Sequence, residues 1–262
     1  KRGALSAWAA ELEYVNGGLF TGDIDAPRFD VTSYRYLRDA CDLDWRQINP
    51  DIFGSMIQSV ADAKARSELG MHYTSVPNIM KVIGPLFLDD LDAEIEKAWD
   101  KPKALKALLD RMAGIRVFDP ACGSGNFLVV SYRELRARET KILQRMSELS
   151  GNTQTLMWSN IPITNFYGIE ITDFAAETAK LALFISEYQA NASFGEVFGR
   201  MPATLPLREA AHIVHGNALR LDWEAVCPPP EDGEEVYIAG NPPFLGTNYQ
   251  SKEQKEDFSS VF

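Results

Sequence analysis

Four short apolar segments, each interrupted by few polar residues, predict β-strands at residues 115–118, 165–170, 212–215 and 235–239. Two longer stretches between them carry apolar residues at helical spacing and predict helices over 126–149 and 172–191. Strands that alternate with helices in this way are typical of a parallel sheet with crossover helices. The pattern therefore predicts an α/β fold with a sheet of about four strands.

A second pattern covers the N-terminal part of the chain, where helical spacing recurs without strands. We predict a helical N-terminal region over residues 1–69 and an α/β domain over residues 70–262. A helix is predicted after Ser75, a capping residue, with Pro77 in its first turn. Pro85 is predicted to kink that helix because proline cannot donate the backbone hydrogen bond.

Three further segments are predicted from composition and spacing. The charged stretch over 92–112 predicts a helix or helix pair that faces solvent. The proline-containing stretch over 192–209 predicts a long loop. A last helix is predicted from Ser251, because Ser251-Lys252-Glu253-Gln254 fits a capping box.

The segment Asp119-Pro120-Ala121-Cys122-Gly123-Ser124-Gly125 joins the first predicted strand to the first long helix. Gly123 and Gly125 leave the backbone open to close approach by a ligand. A glycine turn at a helix start exposes free N–H groups that suit a polar, nucleotide-like ligand. Taken alone, the same motif also fits an ordinary strand-to-helix turn.

Polar side chains mark the ends of all four predicted strands, at Asp119, Glu170, Asn217 and Asn241. Ligands of open parallel sheets bind beyond the carboxyl ends of the strands. The Glu170 carboxylate can accept from both hydroxyls of a ribose. Asn217 can hydrogen-bond a purine edge, or it can form an Asx turn. Packing alone does not explain four such residues at four strand ends.

The most specific motif is Asn241-Pro242-Pro243-Phe244, directly after the fourth strand. Its prolines hold the backbone extended and donate no hydrogen bond. The Pro242 carbonyl and the Asn241 side-chain oxygen can then accept both hydrogens of one amino group, while Phe244 stacks on its ring. A base in duplex DNA must be flipped out to reach such a pocket. The alternative is a plain turn.

Composition narrows the class of protein. The chain has 262 residues, 45% hydrophobic and 24% charged, as expected for one large globular domain or one domain with an appendage. The net charge of -11 argues against a surface that binds DNA broadly, because phosphate contacts need lysine and arginine. No apolar run approaches the ~18 residues that a membrane span needs, so no membrane partner is expected.

Three widely separated cysteines, Cys41, Cys122 and Cys227, suit a reducing compartment, and we expect a cytoplasmic protein. Cys122 is expected only to pack. His212 and His215 lie three residues apart on a predicted strand and would face opposite sides. No metal site is predicted.

Together these motifs resemble the gamma-order S-adenosylmethionine-dependent adenine DNA methyltransferases, which share their order along the chain. The resemblance implies a Rossmann-like class I methyltransferase sheet with S-adenosylmethionine as cofactor. It implies transfer of a methyl group to the 6-amino group of adenine in double-stranded DNA. It assigns catalysis to Asn241, Pro242, Pro243 and Phe244, and cofactor binding to Tyr73, Thr74, Asp119, Ala121, Gly123, Gly125, Glu170 and Asn217. At Asn217 the family more often has aspartate.

The chain also resembles the fused restriction–modification enzymes of the MmeI kind (type IIG/IIL) and their phage-defence relatives. This resemblance is carried by three segments, Val15–Phe20, Ile48–Gly54 and Ser251–Gln254. The family sheet has seven strands, followed by a target-recognition domain. We therefore expect this chain to hold part of the catalytic domain, to bind cofactor weakly and to methylate little on its own.

Other classes of protein share parts of this pattern. Amino-methyltransferases that act on protein glutamine or RNA share Asn-Pro-Pro-aromatic but not the segment around Tyr73 and Thr74. A dehydrogenase would place its acid ~20 residues after the glycines, whereas Glu170 lies about forty-five after Gly125. A nuclease has only the tripeptide Glu253-Gln254-Lys255 in its favour. A non-catalytic cofactor-binding scaffold is the remaining alternative.

Overall fold

The computed structural model describes residues 28–49, 52, 74–151, 159–199, 211–244, 246, 248 and 250–261. Most of the predicted helical region over 1–69 lies outside these residues. Its described part contains helix α1 (Val31–Cys41), which begins where the Asp30 carboxylate accepts the Ser33 N–H at 2.7 Å. The boundary predicted between residues 69 and 70 stays a prediction.

Four parallel strands form the described sheet: β1 (Ile115–Asp119), β2 (Phe166–Glu170), β3 (His212–His215) and β4 (Glu235–Ile238). Their order across the sheet is β3-β2-β1-β4. Every residue of β1 is buried, as expected for the interior strand of a covered parallel sheet. The predicted α/β fold with a partial Rossmann-like sheet of four strands is confirmed.

The strand order creates a switch point between β1 and β4. From β1 the chain adds β2 and then β3 on one side, and it returns to pair β4 with the other side of β1. Val117 pairs with Phe166 of β2 and with Tyr237 of β4. Ligands of open α/β sheets bind in the crevice outside the carboxyl strand ends at this kind of reversal. The fold therefore directs attention to the loops that follow β1 and β4.

Two long helices form the crossovers: α5 (Asn126–Ser150) joins β1 to β2, and α6 (Asp173–Phe198) joins β2 to β3. They pack against each other. The loop predicted over 192–209 is wrong for its first part, because α6 continues through Phe198; residues 200–209 lie outside the described residues. Phe194 is buried, and the neighbouring Asn191 accepts a hydrogen bond of 2.8 Å from Arg136 of α5, so packing holds this segment helical.

After α1, the described chain has three more helices and one π-helical turn before the sheet: α2 (Val76–Ile83), the π-helix Gly84–Leu88, α3 (Asp89–Ala98) and α4 (Pro102–Ala113). The irregular turn contains Pro85, in agreement with the predicted distortion. The helix pair predicted over 92–112 is present as α3 and α4, but it faces solvent on one side only. Its apolar residues recur at helical spacing and are buried, among them Ile95, Leu105 and Met112.

Short elements complete the described chain: the 3₁₀ turn Ile163–Asn165, α7 (Trp223–Val226) and α8 (Lys252–Val261). The predicted capping box at α8 is confirmed, because Ser251 N donates to Gln254 Oε1 at 2.8 Å and Gln254 N donates to Ser251 Oγ at 3.1 Å. No helix among the described residues is both long and apolar enough to span a membrane.

Candidate active site at the carboxyl edge of the sheet

The turn after β1 depends on two glycines for different reasons. Gly125 adopts φ +83° at the start of α5, and a Cβ there would lie 3.1 Å from Ala179 Cβ. Gly123 adopts φ +56°, and a Cβ there would meet no atom within 4 Å. Gly125 therefore lets α5 and α6 approach closely, while the backbone at Gly123 borders open space. This open space leaves room for a ligand at Gly123, and the cofactor contact assigned to it stays a prediction.

Glu170 is the last residue of β2, and its hydrogen bonds connect the loop after β1 to the loop after β2. Its carboxylate accepts the Gly123 N–H at 2.9 Å, and the Thr172 N–H and hydroxyl at 3.0 and 2.9 Å. Its backbone oxygen accepts the Gly216 N–H after β3 at 2.8 Å. A carboxylate has about four acceptor positions, so this residue is preorganised yet retains capacity for one more donor.

Asp119 ends β1 and is almost completely buried. Its Oδ1 accepts the Ala121 N–H at 3.0 Å. Burial raises the pKa of this carboxyl to about 7, against the lowering effect of the Ala121 N–H and with a smaller raising effect of the Glu170 carboxylate. On the other side of the carboxyl lies Gly240, where a Cβ would stand 2.2 Å from Asp119 Oδ1. The two sides of the switch point therefore touch.

The raised pKa of Asp119 predicts a pH dependence of stability. Between its ordinary pKa of 3.8 and about 7, the folded form keeps a proton that the unfolded form loses, so stability falls as pH rises through this window. The change is on the order of a few kcal/mol, since one pKa unit is worth about 1.4 kcal/mol.

Asp119→Asn keeps the acceptor for Ala121 and removes this titration. We therefore expect the stability of the variant relative to the unmodified protein to be higher at pH 8 than at pH 5. Thermal unfolding midpoints of both proteins at the two pH values give this comparison. An equal difference in midpoint at pH 5 and pH 8 would contradict a raised pKa.

The predicted catalytic segment Asn241-Pro242-Pro243-Phe244 follows β4 at the same edge. The strand pairing continues one residue past β4, because Ala239 N donates to Phe118 O at 3.0 Å. All four residues of the segment are exposed, and Phe244 keeps 89% of its surface accessible, so its ring is available for stacking. Asn241 Nδ2 donates to Thr74 Oγ1 at 3.1 Å.

Asn217 follows β3 and is already engaged by protein groups. Its Oδ1 accepts the Leu219 N–H at 3.0 Å, which is the Asx turn that the sequence left as an alternative. Its Nδ2 donates to Asp257 of α8 at 2.8 Å. Arg220 reinforces this connection through contacts of 2.8 Å to Asp257 and 2.9 Å to Glu253. The cofactor contact assigned to Asn217 by resemblance stays a prediction.

Six of the predicted site residues thus form three contact pairs, with Asn217 apart from them. Gly123 contacts Glu170, and Thr74 contacts Asn241. Ala121 joins Asp119 on the β1 side of the switch point. Asn217 contacts α8 instead of these residues. Tyr73 lies outside the described residues.

Three residues at this edge were not predicted from the sequence: Thr172, Gly240 and Asp257. Thr172 has a signal, a hydroxyl residue at the start of the helix just after the strand-end acid. Gly240 lies directly before Asn-Pro-Pro in the sequence, but its importance becomes clear only from its contact with Asp119. Asp257 has no local signal, because its partners lie forty and thirty-seven residues away.

The groups at this edge of the sheet fit an adenosine-type cofactor. Open space at Gly123 gives the room that a ligand needs, and Glu170 retains acceptor capacity for a ribose hydroxyl. Within the described ranges, no group of three or more His, Cys, Asp or Glu side chains could hold a metal ion. His215 instead has its Nε2 3.1 Å from the Ile171 backbone oxygen.

The sheet order and the loops after β1, β2 and β4 define a Rossmann-like α/β domain of the class I methyltransferase type. The comparisons with known proteins agree with this class. The chain belongs to the family described as MmeI, DNA-methyltransferase domain, whose model matches residues 95–262. The resemblance to MmeI-like enzymes inferred from the motifs is confirmed.

Two known proteins show the similarity along the whole chain. DNA methyltransferase A of Bacillus subtilis (strain 168) is 48% identical over 264 residues, covering 100% of this chain and 30% of that protein. The solved structure of the Type IIL restriction-modification enzyme MmeI in complex with DNA is similar with a TM-score of 0.87 and 42% identity. That match covers 98% of this chain and 34% of the solved one. The chain thus spans about a third of the length of these relatives.

Proposed function

We propose that this chain is the catalytic part of an enzyme that methylates the 6-amino group of adenine within a specific DNA sequence. S-adenosylmethionine is the proposed methyl donor. The enzyme would belong to a restriction–modification or phage-defence system and act in the cytoplasm. Membership of the MmeI DNA-methyltransferase family supports the class of reaction, and the solved MmeI complex with DNA supports the class of substrate.

One observation carries the proposal: Asn241-Pro242-Pro243-Phe244 lies at the switch point, next to the loop after β1. Gly240, the residue before Asn241, approaches the Asp119 carboxyl, so the segment after β4 begins beside the end of β1, where the glycine turn starts. A cofactor held at that turn and an amino group held at Asn241 would be neighbours. Catalysis of a transfer reaction needs such orientation of the two reactants.

The chemistry assigned to Asn241 follows from its hydrogen-bonding capacity. Its Oδ1 and the Pro242 carbonyl are both acceptors, and together they can hold the two hydrogens of one amino group. An amino nitrogen attached to a base delocalises its lone pair into the ring. Accepting both hydrogens at fixed positions concentrates that lone pair on nitrogen, so that the nitrogen can attack. The exposed Phe244 ring would stack on the flipped base.

The cofactor residues have proposed roles that follow from their positions. Glu170 would accept from one ribose hydroxyl, and Gly123 would let the cofactor lie against the backbone. Asp119 and Ala121 would shape the floor of the site. Asn217, Tyr73 and Thr74 are assigned by resemblance. When bound, S-adenosylmethionine supplies a methyl group on a positively charged sulfur.

DNA binding needs more positive charge than this chain provides, because its net charge is -11. We therefore propose that a recognition domain elsewhere in the full-length protein supplies the sequence-specific contacts. The chain itself would receive the flipped adenine. This division of roles separates binding of the duplex from chemistry on the base.

The test is to incubate the full-length protein with methyl-labelled S-adenosylmethionine and DNA, digest the DNA to nucleosides and locate the label. Label on the 6-amino group of deoxyadenosine is the expected result. Label on the amino group of cytosine would keep the mechanism and overturn the base. Label in protein or RNA, with none in DNA, would replace the proposal with the amino-methyltransferases that share this motif.

A further inference from the structure

Thr74 and Asn241 are 167 residues apart in the sequence and are hydrogen-bonded in the fold. Asn241 follows β4, and Thr74 stands just before Ser75, the first flanking residue of α2. The bond of 3.1 Å joins Asn241 Nδ2, the donor, to Thr74 Oγ1, the acceptor. It connects the segment before the sheet to the proposed catalytic loop.

The helix behind Thr74 is firmly anchored. Ile79 and Ile83 of α2 are fully buried, and α2 packs against α5, the helix that starts at the glycine turn. Asn241 is exposed and lies outside any helix or strand, and its Nδ2 bonds to Thr74 Oγ1. A hydroxyl mounted on a packed helix is therefore the firmer partner. Catalytic side chains need such support to keep a productive orientation.

The direction of this bond decides what Asn241 offers to a substrate. When Nδ2 bonds to Thr74, Oδ1 points to the other side of the amide. In the part of the chain that the structure describes, Oδ1 has no protein donor bonded to it. The acceptor that an amino group requires is thus left available.

The opposite orientation would be unproductive. A threonine hydroxyl can also donate, so it could bond to Oδ1 if the amide were turned over. Asn241 would then present its N–H groups to the N–H groups of an amino substrate, and two donors repel. Only the arrangement in this structure combines a bond to Thr74 with an acceptor for the substrate.

We infer that Thr74 is a positioning residue for Asn241, which it orients through its hydroxyl so that Oδ1 receives the substrate amino group. The inference deepens the proposed function and rests on it. The role differs from the cofactor contact that the family resemblance implies for Thr74. Thr74 would therefore influence the rate of methyl transfer more than the affinity for the cofactor.

The test compares Thr74→Val with Thr74→Ser in the full-length protein. Valine keeps the shape and removes the hydroxyl, whereas serine keeps the hydroxyl. We expect valine to lower kcat about tenfold, the value of one hydrogen bond of typical strength. Serine should stay within about threefold of the unmodified protein, and KM for S-adenosylmethionine should change less than about twofold in both. Thr178→Val, at a half-buried threonine of α6 bonded to Phe174 O, is the matched control.

Three results would overturn the inference. Valine with unchanged kcat and a raised KM for S-adenosylmethionine would make Thr74 a cofactor contact. Serine as impaired as valine would show that the hydroxyl alone does not restore the rate, so the effect would not come from the bond to Asn241. Valine equal to the unmodified protein would remove any role. Failure of the proposed function is recognised separately, because the unmodified protein would then place no label on adenine.

Discussion

Asn241→Ala is expected to lower the rate of methyl transfer by about a hundredfold to a thousandfold, the usual cost of losing one preorganised polar group at a reacting centre. Alanine removes the side-chain oxygen that would accept one hydrogen of the substrate amino group. It leaves the glycine turn and Glu170 unchanged, so cofactor affinity should be nearly the same. Single-turnover transfer of labelled methyl groups measures the rate, and titration calorimetry measures cofactor binding.

Two companion variants sharpen this result. Asn241→Asp keeps acceptor oxygens at the same position and should retain more activity than alanine. Asn78→Ala changes an asparagine on the exposed side of α2, near Thr74, and should leave the rate unaltered. Retention of more than about a tenth of the rate in Asn241→Ala would show that Asn241 does not hold the reacting amino group.

Gly240→Ala is expected to destabilise the fold by about 1–3 kcal/mol, the usual cost of forcing extra volume into a packed site. The added Cβ would lie 2.2 Å from Asp119 Oδ1. Asp119 cannot easily move away, because it is buried and bonded to the Ala121 N–H. The loop that carries Asn241 must shift instead, so methyl transfer should fall as well. Thermal unfolding and the transfer assay measure the two effects.

A second glycine and a double variant isolate the cause. Gly84→Ala adds the same atom where the nearest neighbour, Asp89 Oδ1, is 3.5 Å away, and it should be nearly neutral. If the clash with Asp119 is responsible, Gly240→Ala should cost much less in an Asp119→Ala background, because the two sites are coupled. Additive effects of the two substitutions would argue against this contact.

The sheet could be predicted because apolar β segments separated by amphipathic helices allow few other arrangements. The placement of Asp119, Glu170 and Asn241 at strand ends followed from the same pattern. The contact between Asp119 and Gly240 could not be predicted, since it requires β4 to pair with β1. Hydrophobic periodicity indicates that a strand exists, but it does not identify the strand with which it pairs.

Long-range side-chain contacts explain the other differences. Composition favoured a loop after residue 191, but Phe194 packing and the Arg136–Asn191 bond keep α6 helical to Phe198. The bond between Thr74 and Asn241 likewise could not be predicted from the residues around either partner. In each case a tertiary interaction outweighs the local preference of the segment.

The attachment of α8 has a consequence for ionic strength. None of its described side chains is buried, and contacts of Asp257 and Glu253 with Asn217 and Arg220 connect it to the turn after β3. Arg220 is about half exposed, and ion pairs of this kind contribute up to about 1 kcal/mol and weaken as salt screens them. Local opening of α8 should therefore become more frequent as salt concentration rises, while the buried sheet stays folded. Each such opening would separate Asn217 and Arg220 from their partners on α8, so the turn after β3 would lose these contacts.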